Sequence, residues 1–248
     1  AVVSLALQIG VNYANDYSDG VKGTDNVRVG PLRLVGSGVA SAKSVKIAAL
    51  LMFFIAAVAG LVLAILTSMW LIAVGLFAII SAWTYTGGPR PYGYAGLGEL
   101  FVFVFFGLVA TLGTEYVVAE QMTVTGLVSS IAVGSFACSL LVINNLRDIP
   151  GDTVAGKRTL AVKLGDTSTR RLFASLAILS AIAIGLTSLT SGVYAIAGLV
   201  GVVALRPALN DVARGAKGRD LIPVLGAVGR AQLIMGVTFS AGLFFALL

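Results

Sequence analysis

The sequence predicts an all-α protein, a polytopic bundle of transmembrane helices. Hydrophobic residues make up 58% of the chain and charged residues 11%, and the mean hydropathy is +0.98. A soluble domain usually carries about 25% charged residues. Apolar runs long enough to span a membrane as helices recur along the whole chain. We therefore expect one transmembrane domain over residues 1–248.

The hydropathy pattern predicts eight spans in this domain. In chain order they are 1–14, 45–67, 69–83, 97–118, 124–143, 172–189, 193–205 and 231–248. The first is short, and the chain starts inside an apolar run without an initiator Met, so we expect a further helix before Ala1. The seventh is also short and could extend to residue 210.

The basic residues predict the orientation of the spans. All seventeen Lys and Arg fall in 22–46, at position 90, in 147–171 and in 206–230, whereas the alternate connections carry none. Cytoplasmic connections of membrane proteins are enriched in Lys and Arg. These four stretches are therefore predicted to face the cytoplasm of a multi-pass plasma-membrane protein. Insertion and attraction to anionic lipid would explain most of the net charge of +6.

The missing residue types exclude several kinds of site. The chain has no histidine, which excludes His-ligated haem, His-based zinc sites and a His general base. The single cysteine, Cys138, lies in an apolar run and cannot form a disulfide framework. Any metal would therefore bind to oxygen ligands, which favours Mg²⁺, with Mn²⁺ as a substitute.

An acidic segment closes the first apolar run. Carboxylates at a membrane boundary are costly unless they have a function, and the chain has only eleven. Asn12 precedes Asp16 by four residues, which places both on one helix face, and Asp19 lies near that face. Asp25 follows in the same loop, and its role stays open between a ligand and an ordinary loop acid.

A second acidic segment closes the fifth run and repeats this spacing with Asn144 and Asp148. Proline disfavours helix in the residue before it, so Pro150 predicts a turn at Asp152. Carboxylates at a helix C-terminus need compensating cations, because the helix dipole is negative there. The cations available are Lys22, Arg147, Lys157 and bound Mg²⁺.

Two carboxylate clusters of this kind suit a phosphorylated substrate. Mg²⁺ prefers one or two carboxylates together with phosphate oxygens and water. Ions held by the two clusters would neutralise a diphosphate as it leaves. The structural alternative is that these acids are turn or cap residues. Asp166, Asp211 and Asp220 are interpreted as ordinary solvated acids.

Residues 85–99 form a cytoplasmic connection rich in Gly, Pro and Tyr. It could be a plain turn between helices. The tyrosines, with Arg90 and Glu99, also suit a lid over an aromatic or cationic species, because an aromatic face attracts a cation.

These segments resemble the UbiA superfamily of intramembrane aromatic prenyltransferases. In that family two aspartate-rich motifs, Asn-x-x-x-Asp-x-x-Asp and Asp-x-x-x-Asp, lie at the cytoplasmic ends of the second and sixth of nine helices. Asn12, Asp16 and Asp19 match the first motif, and Asp148 and Asp152 match the second. The resemblance covers essentially the whole chain and implies a nine-helix bundle, of which eight helices lie in this chain.

Within the superfamily the pattern is most similar to the 1,4-dihydroxy-2-naphthoate polyprenyltransferases. The matching segments are Asn15-Asp-Tyr-x-Asp19-x-x-Lys22-Gly-x-Asp25, Arg28-x-Gly-Pro-x-Arg33-Leu, Gly87-Gly-Pro-x-Pro-Tyr-x-x-x-Gly-Leu-Gly-Glu99 and Asn144-Asn-x-Arg-Asp148-x-x-x-Asp152-x-x-x-Gly-Lys157. The resemblance implies transfer of a polyprenyl group from polyprenyl diphosphate to 1,4-dihydroxy-2-naphthoate. Carbon dioxide and diphosphate are lost, and demethylmenaquinol is formed.

The resemblance and the residue chemistry together predict the site. The catalytic residues expected are Asp16, Asp19, Asp148 and Asp152. The same four carboxylates would bind Mg²⁺, assisted by Asn12. Diphosphate would be bound by Lys22, Arg147 and Lys157. The substrate-binding residues expected are Asn15, Asp25, Tyr85, Tyr92, Tyr94, Asn144 and Asn145.

Two alternatives remain at the level of sequence. One is a superfamily relative with another acceptor, such as 4-hydroxybenzoate or homogentisate. The other is a membrane transporter, which would carry carboxylates near the middle of its spans. Here the clustered acids lie at one predicted face, which disfavours transport.

Overall fold

The computed structural model describes residues 1–24, 30 and 32–246, and every regular element in them is helical. We number eight helical elements in chain order. They are α1 (Val2–Lys22), α2 (Ala42–Leu66), α3 (Leu71–Thr84), α4 (Gly98–Ala119), α5 (Val124–Val154), α6 (Leu160–Ser191), α7 (Val193–Ala213) and α8 (Gly218–Phe245).

The eight predicted spans fall on these eight elements, which confirms the all-α, polytopic prediction. Six elements in the described part of the chain are long and apolar enough to cross a membrane, namely α2 and α4 to α8. Helix α3 is apolar but shorter. Helix α1 runs eight residues beyond its predicted end at residue 14, so Asp16 and Asp19 lie inside a helix. It stops at Gly23, whose φ of 71° is the left-handed conformation that glycine adopts readily at a helix end.

The chain divides into two compact units. The first comprises Ala1–Gly98 and Gly151–Thr159, and the second comprises Glu99–Pro150 and Leu160–Leu248. Within the first unit, α1 packs on α2 around Ala14, Ala49 and Phe53. A single transmembrane domain over residues 1–248 stays a prediction.

The second unit has the larger apolar core. Its largest fully buried side chains include Phe136 on α5, Phe173 on α6 and Met235 on α8. Helix α4 is wound as a π-helix over Phe103–Val109. There a Cβ on Gly107 would lie 2.7 Å from the Cα atom of Gly134 on α5, so the two backbones are in direct contact.

The prediction of a turn at Asp152 is wrong. Helix α5 continues through Pro150 to Val154 and includes Asp152. Proline removes one helical hydrogen bond and crowds the preceding turn, at a cost of about 3 kcal/mol. The bonds resume at once, since the Ala155 amide donates to the Gly151 carbonyl at 2.9 Å. The loss is thus confined to one position of a 31-residue helix.

Candidate active site

Lys157 and Asp19 form the centre of the polar contacts in the first unit. The Lys157 ammonium nitrogen lies 3.5 Å from Oδ1 of Asp19 and 3.9 Å from Oδ1 of Asp152. The Tyr94 hydroxyl donates to the same Asp19 oxygen, and Lys157 lies 4.6 Å from the centre of the Tyr94 ring. Lys157 and Asp19 are both buried, so solvent screens their interaction little.

Lys22 connects α1 to the loop after α3. Its ammonium group donates to the carbonyls of Thr86, at 2.6 Å, and Gly88, at 3.1 Å, and lies 4.9 Å from the centre of the Tyr94 ring. The residue as a whole is exposed, whereas its ammonium group is partly desolvated. This desolvation lowers the pKa of Lys22 below its usual value; Asp19 opposes the shift and the charge of Lys157 adds to it.

Asp16 binds the backbone of a turn that lies later in the sequence, at Leu34 and Val35. Its two oxygens accept hydrogen bonds from the backbone amides of Leu34 and Val35, each at 2.9 Å. The side chain is buried on α1. Asp16 therefore has the structural role of a turn anchor, whatever else it binds.

The tyrosine-rich connection is tightly folded around Gly93. The Gly93 amide donates to the Tyr85 carbonyl at 3.0 Å, and a Cβ at this position would lie 2.6 Å from that oxygen. The Tyr85 and Tyr92 rings meet edge to face with centroids 5.5 Å apart. Burial raises the pKa of Tyr92, so its hydroxyl stays protonated at physiological pH.

The remaining predicted residues of the first unit have other neighbours. Asn15 Oδ1 accepts a hydrogen bond from the Thr86 hydroxyl at 2.9 Å, so it helps to hold the loop that Lys22 also binds. Asn12 is exposed and donates to the Gln8 carbonyl one turn earlier at 2.8 Å. Asp25 lies outside the residues that the structure describes.

The second unit contains a separate charged group on α5. The Arg147 guanidinium binds Asp148 through Nε and Nη2, both at 2.7 Å, and its Nη2 also donates to Asn144 Oδ1 at 2.8 Å. Asn144 Nδ2 lies 3.5 Å from Asp148 Oδ2, as their spacing on one helix face predicts. Arg147 is buried, and among the described residues its Nη1 atom has no hydrogen-bond partner. Arg147 thus neutralises Asp148 and keeps one donor for another group.

Asn145 is paired with the carboxyl group of Glu99, which the sequence predicted as part of the tyrosine-rich lid but not as a partner of Asn145. Asn145 Nδ2 donates to Glu99 Oε1 at 2.9 Å, and both residues are buried in the second unit. The available signal was a single acid at the start of an otherwise apolar span, because such an acid needs a partner.

The donor chemistry of these carboxylates fits a hard divalent cation. Among the described residues no three or more His, Cys, Asp or Glu side chains already form a metal-binding group. However, Tyr94 and Lys157 engage only Oδ1 of Asp19, and a carboxylate offers about four lone pairs. The nearby cations would also balance an added diphosphate. The site is therefore compatible with Mg²⁺ accompanied by its substrate.

Comparison with known proteins agrees with these features. Residues 1–224 match the model of the UbiA prenyltransferase family. The chain is 51% identical to the 1,4-dihydroxy-2-naphthoate octaprenyltransferase of Mycobacterium tuberculosis, over 98% of this chain and 83% of that protein. It is 37% identical to the enzyme of the same name from Escherichia coli, over 89% of this chain and 80% of that protein.

One solved structure has a similar fold. It is described as "Structural and mechanistic insights into the biosynthesis of Digeranylgeranylglyceryl phosphate synthase in membranes". The two chains superpose with a TM-score of 0.59 at 18% identity, covering 98% of this chain and 83% of the other. At this identity the likeness supports the fold alone.

Proposed function

Because the chain belongs to the UbiA prenyltransferase family, we propose that it transfers a polyprenyl group from polyprenyl diphosphate to 1,4-dihydroxy-2-naphthoate. Diphosphate and carbon dioxide leave, and the product is demethylmenaquinol. The observation that carries this proposal is the 51% identity to a named 1,4-dihydroxy-2-naphthoate octaprenyltransferase over nearly the whole chain. Family membership also disfavours the transporter alternative.

The family is generally metal-dependent, and we propose Mg²⁺ as the ion for this chain. The residues that would hold it are Asp16, Asp19 and Asp152 of the first unit and Asp148 of the second, with Asn12 assisting. When bound, Mg²⁺ supplies positive charge that stabilises the departing diphosphate.

Lys22 and Lys157 are the cations of the first unit that would bind diphosphate oxygens. Lys22 donates to two backbone carbonyls, and Lys157 lies 3.5 Å and 3.9 Å from its two carboxylates, which is longer than a close ion pair. In the second unit Nη1 of Arg147, which has no hydrogen-bond partner among the residues that the structure describes, is a further donor. Charge-assisted hydrogen bonds of this kind are the strong ones, so these groups would hold the diphosphate in place.

The tyrosine-rich connection would protect the reacting carbon. As the bond from carbon to diphosphate oxygen breaks, the prenyl group becomes an allylic cation, which water would quench. Tyr85 and Tyr92 have aromatic faces that would attract this cation, and the protonated hydroxyl of Tyr92 is a poor nucleophile. Tyr94, whose ring is already next to Lys22 and Lys157, would border the diphosphate instead. The electron-rich naphthoate ring then attacks the cation, and loss of carbon dioxide restores aromaticity.

The proposed location is the plasma membrane, with the site on the cytoplasmic side. The six long apolar elements support a multi-pass protein in a lipid bilayer. The positive-inside rule supports the orientation, since the aspartate motifs lie beside the basic stretches. Both substrates would then be met at one face, the polyprenyl diphosphate from the bilayer and the naphthoate from the cytosol.

Prenyl transfer by the purified full chain tests this function. The protein in detergent receives 1,4-dihydroxy-2-naphthoate and a polyprenyl diphosphate, with Mg²⁺, with Mn²⁺ or with EDTA. We expect metal-dependent release of carbon dioxide together with a prenylated naphthoquinol. Transfer to 4-hydroxybenzoate or homogentisate in place of the naphthoate would contradict the proposed acceptor but retain the reaction class. No transfer to any acceptor would contradict both.

A further inference from the structure

Glu99 is a buried carboxyl group with one oxygen left over. The residue is 8% exposed and stands at the start of α4. Oε1 accepts from Asn145, whereas Oε2 is buried and has no hydrogen-bond partner among the described residues. A buried polar oxygen without a partner destabilises the fold, so this arrangement calls for a group that binds Oε2.

The position of Glu99 along the axis of α5 matches the position expected for the ring of the acceptor. Asn145, which holds Glu99, lies three residues before Asp148 on α5, or about 4.5 Å along the helix axis. The displacement is towards the apolar part of the helix. In a prenyl diphosphate the transferred carbon lies between the diphosphate and the apolar tail, so it is also displaced in this direction. A ring that attacks this carbon would lie at the level of Asn145 and Glu99.

The chemistry of the free oxygen selects a hydroxyl group. An ionised carboxylate oxygen only accepts hydrogen bonds, and a protonated one also donates. A phenolic hydroxyl can do both, so it pairs with Oε2 in either state. A prenyl chain, being apolar, would leave Oε2 unpaired.

Resting on the proposed function, we propose that Glu99 binds a ring hydroxyl of the aromatic acceptor through Oε2, while Asn145 fixes the orientation of the carboxyl group. Glu99 thereby selects acceptors that carry a hydroxyl at the right ring position. The same carboxyl group does not contact the diphosphate, so its effect should be restricted to the acceptor.

Substitution combined with acceptor analogues tests this inference. Glu99→Gln keeps the shape and the oxygen that Asn145 binds, and replaces Oε2 by an amide nitrogen. Glu99→Asp keeps the carboxyl group but shortens the side chain by one methylene. Each purified full-length variant is assayed with the naphthoate acceptor and with analogues in which one hydroxyl is replaced by hydrogen. The KM of each substrate, acceptor binding by equilibrium dialysis and the melting temperature are measured.

We expect both variants to raise the acceptor KM about 10- to 100-fold, because the hydrogen bond to Oε2 is lost or weakened. The KM for prenyl diphosphate should change by less than about 3-fold, because Glu99 is not proposed to bind the diphosphate. Loss of a charge-assisted hydrogen bond would have a larger effect. For the wild type, removing one particular hydroxyl from the acceptor should raise the acceptor KM by a similar factor. For the variants, the same removal should change the acceptor KM little. Glu115→Gln is the matched control. Glu115 lies on the same helix about 24 Å further along, where it binds the Thr123 hydroxyl.

The outcomes separate this inference from the proposed function. If every hydroxyl deletion costs the variants as much as the wild type, Glu99 does not bind a hydroxyl and the inference is wrong, although the reaction stands. If the wild type neither binds nor prenylates the naphthoate, the proposed function and this inference both fail. If Glu99→Gln does not fold, Glu99→Asp supplies the same comparison.

Discussion

At the scale of single residues, Lys157 connects several parts of the first unit. It touches Asp19, Asp152 and the face of Tyr94, while the amide of the next residue, Arg158, donates to the Tyr94 carbonyl at 2.8 Å. Neither carboxylate is at ideal ion-pair distance from the ammonium group. Lys157 can therefore exchange a carboxylate for a diphosphate oxygen with only a small movement.

Lys157→Met should weaken the binding of prenyl diphosphate. Methionine fills a similar volume but supplies no charge, and a lost charge-assisted bond corresponds to about a 10- to 100-fold change. We expect the KM for prenyl diphosphate to rise by this factor and the acceptor KM to change little, as measured by steady-state transfer. Lys43→Met, at an exposed site on α2, serves as the control. Equal effects of the two substitutions would contradict the assignment.

Asp148→Asn should abolish most of the activity without unfolding the protein. The amide oxygen can still meet Arg147, but the charge for a metal ion is lost, and we expect transfer to fall at least about 100-fold. The Mg²⁺ concentration needed for half-maximal rate should rise as well. Asp211→Asn changes an exposed acid and should retain full activity. Wild-type transfer by Asp148→Asn would exclude its metal role.

At the scale of elements, helices α4 and α5 contact each other through backbone atoms. Gly107 faces Gly134 and the Ser130 carbonyl, which would lie 2.9 Å from an added Cβ. Small residues at such crossings allow close packing of membrane helices. The sequence located both spans from their hydropathy, but hydropathy does not encode which face of α4 meets α5, nor the π-helical winding that presents Gly107.

Gly107→Ala should therefore destabilise the second unit by about 1–3 kcal/mol, because the added methyl group meets backbone atoms that cannot rotate away. Gly113→Ala on the same helix is the matched control, since no atom lies within 4 Å of its added Cβ. Alanine is a better helix former, so the control should be neutral or more stable by up to about 1 kcal/mol. Unfolding in detergent monitored by circular dichroism measures both. A loss of stability in the control equal to that of Gly107→Ala would refute the packing argument.

At the scale of the whole molecule, the sequence predicted the number and places of the helices well. Long apolar runs separated by charged connections leave little freedom for assignment, because each span needs about 20 residues. Local interruptions of a helix were harder to predict. Pro150 removes one hydrogen bond near the end of α5, and the remaining hydrogen bonds and packing of this long helix outweigh that loss. Asp152 is therefore helical.

Side-chain partners were the least predictable part. The acidic motifs predicted Asp16 and Asp148 as site residues, with Arg147 as a compensating cation, but not that Asp16 holds the Leu34 and Val35 amides. The partner of Asn145 was also missed. The contacts of Asp16 and Asn145 join positions 18 to 46 residues apart, and a single sequence contains no distance information over that range.

The predicted topology can be tested by labelling single cysteines. Cys138 is buried, so its replacement by Ser or Ala provides a background without thiols. A cysteine at Gln121 should react with a membrane-impermeant maleimide added to intact cells, whereas one at Asp220 should react only after the membrane is opened. Both positions are exposed in the structure. The reverse pattern would invert the orientation and place the aspartate motifs outside the cell.

If Asp16 binds the proposed Mg²⁺, its hydrogen bonds with the Leu34 and Val35 amides report whether the ion is present. In the proposed metal site one carboxylate serves both the turn and the cation, which would link the two equilibria thermodynamically. Saturation with Mg²⁺ and a non-transferable diphosphate should change the deuterium uptake of these two amides, as read by mass spectrometry. Uptake that is identical with and without the ion would show that Asp16 serves the turn alone. Cation loading could thus be followed without any turnover.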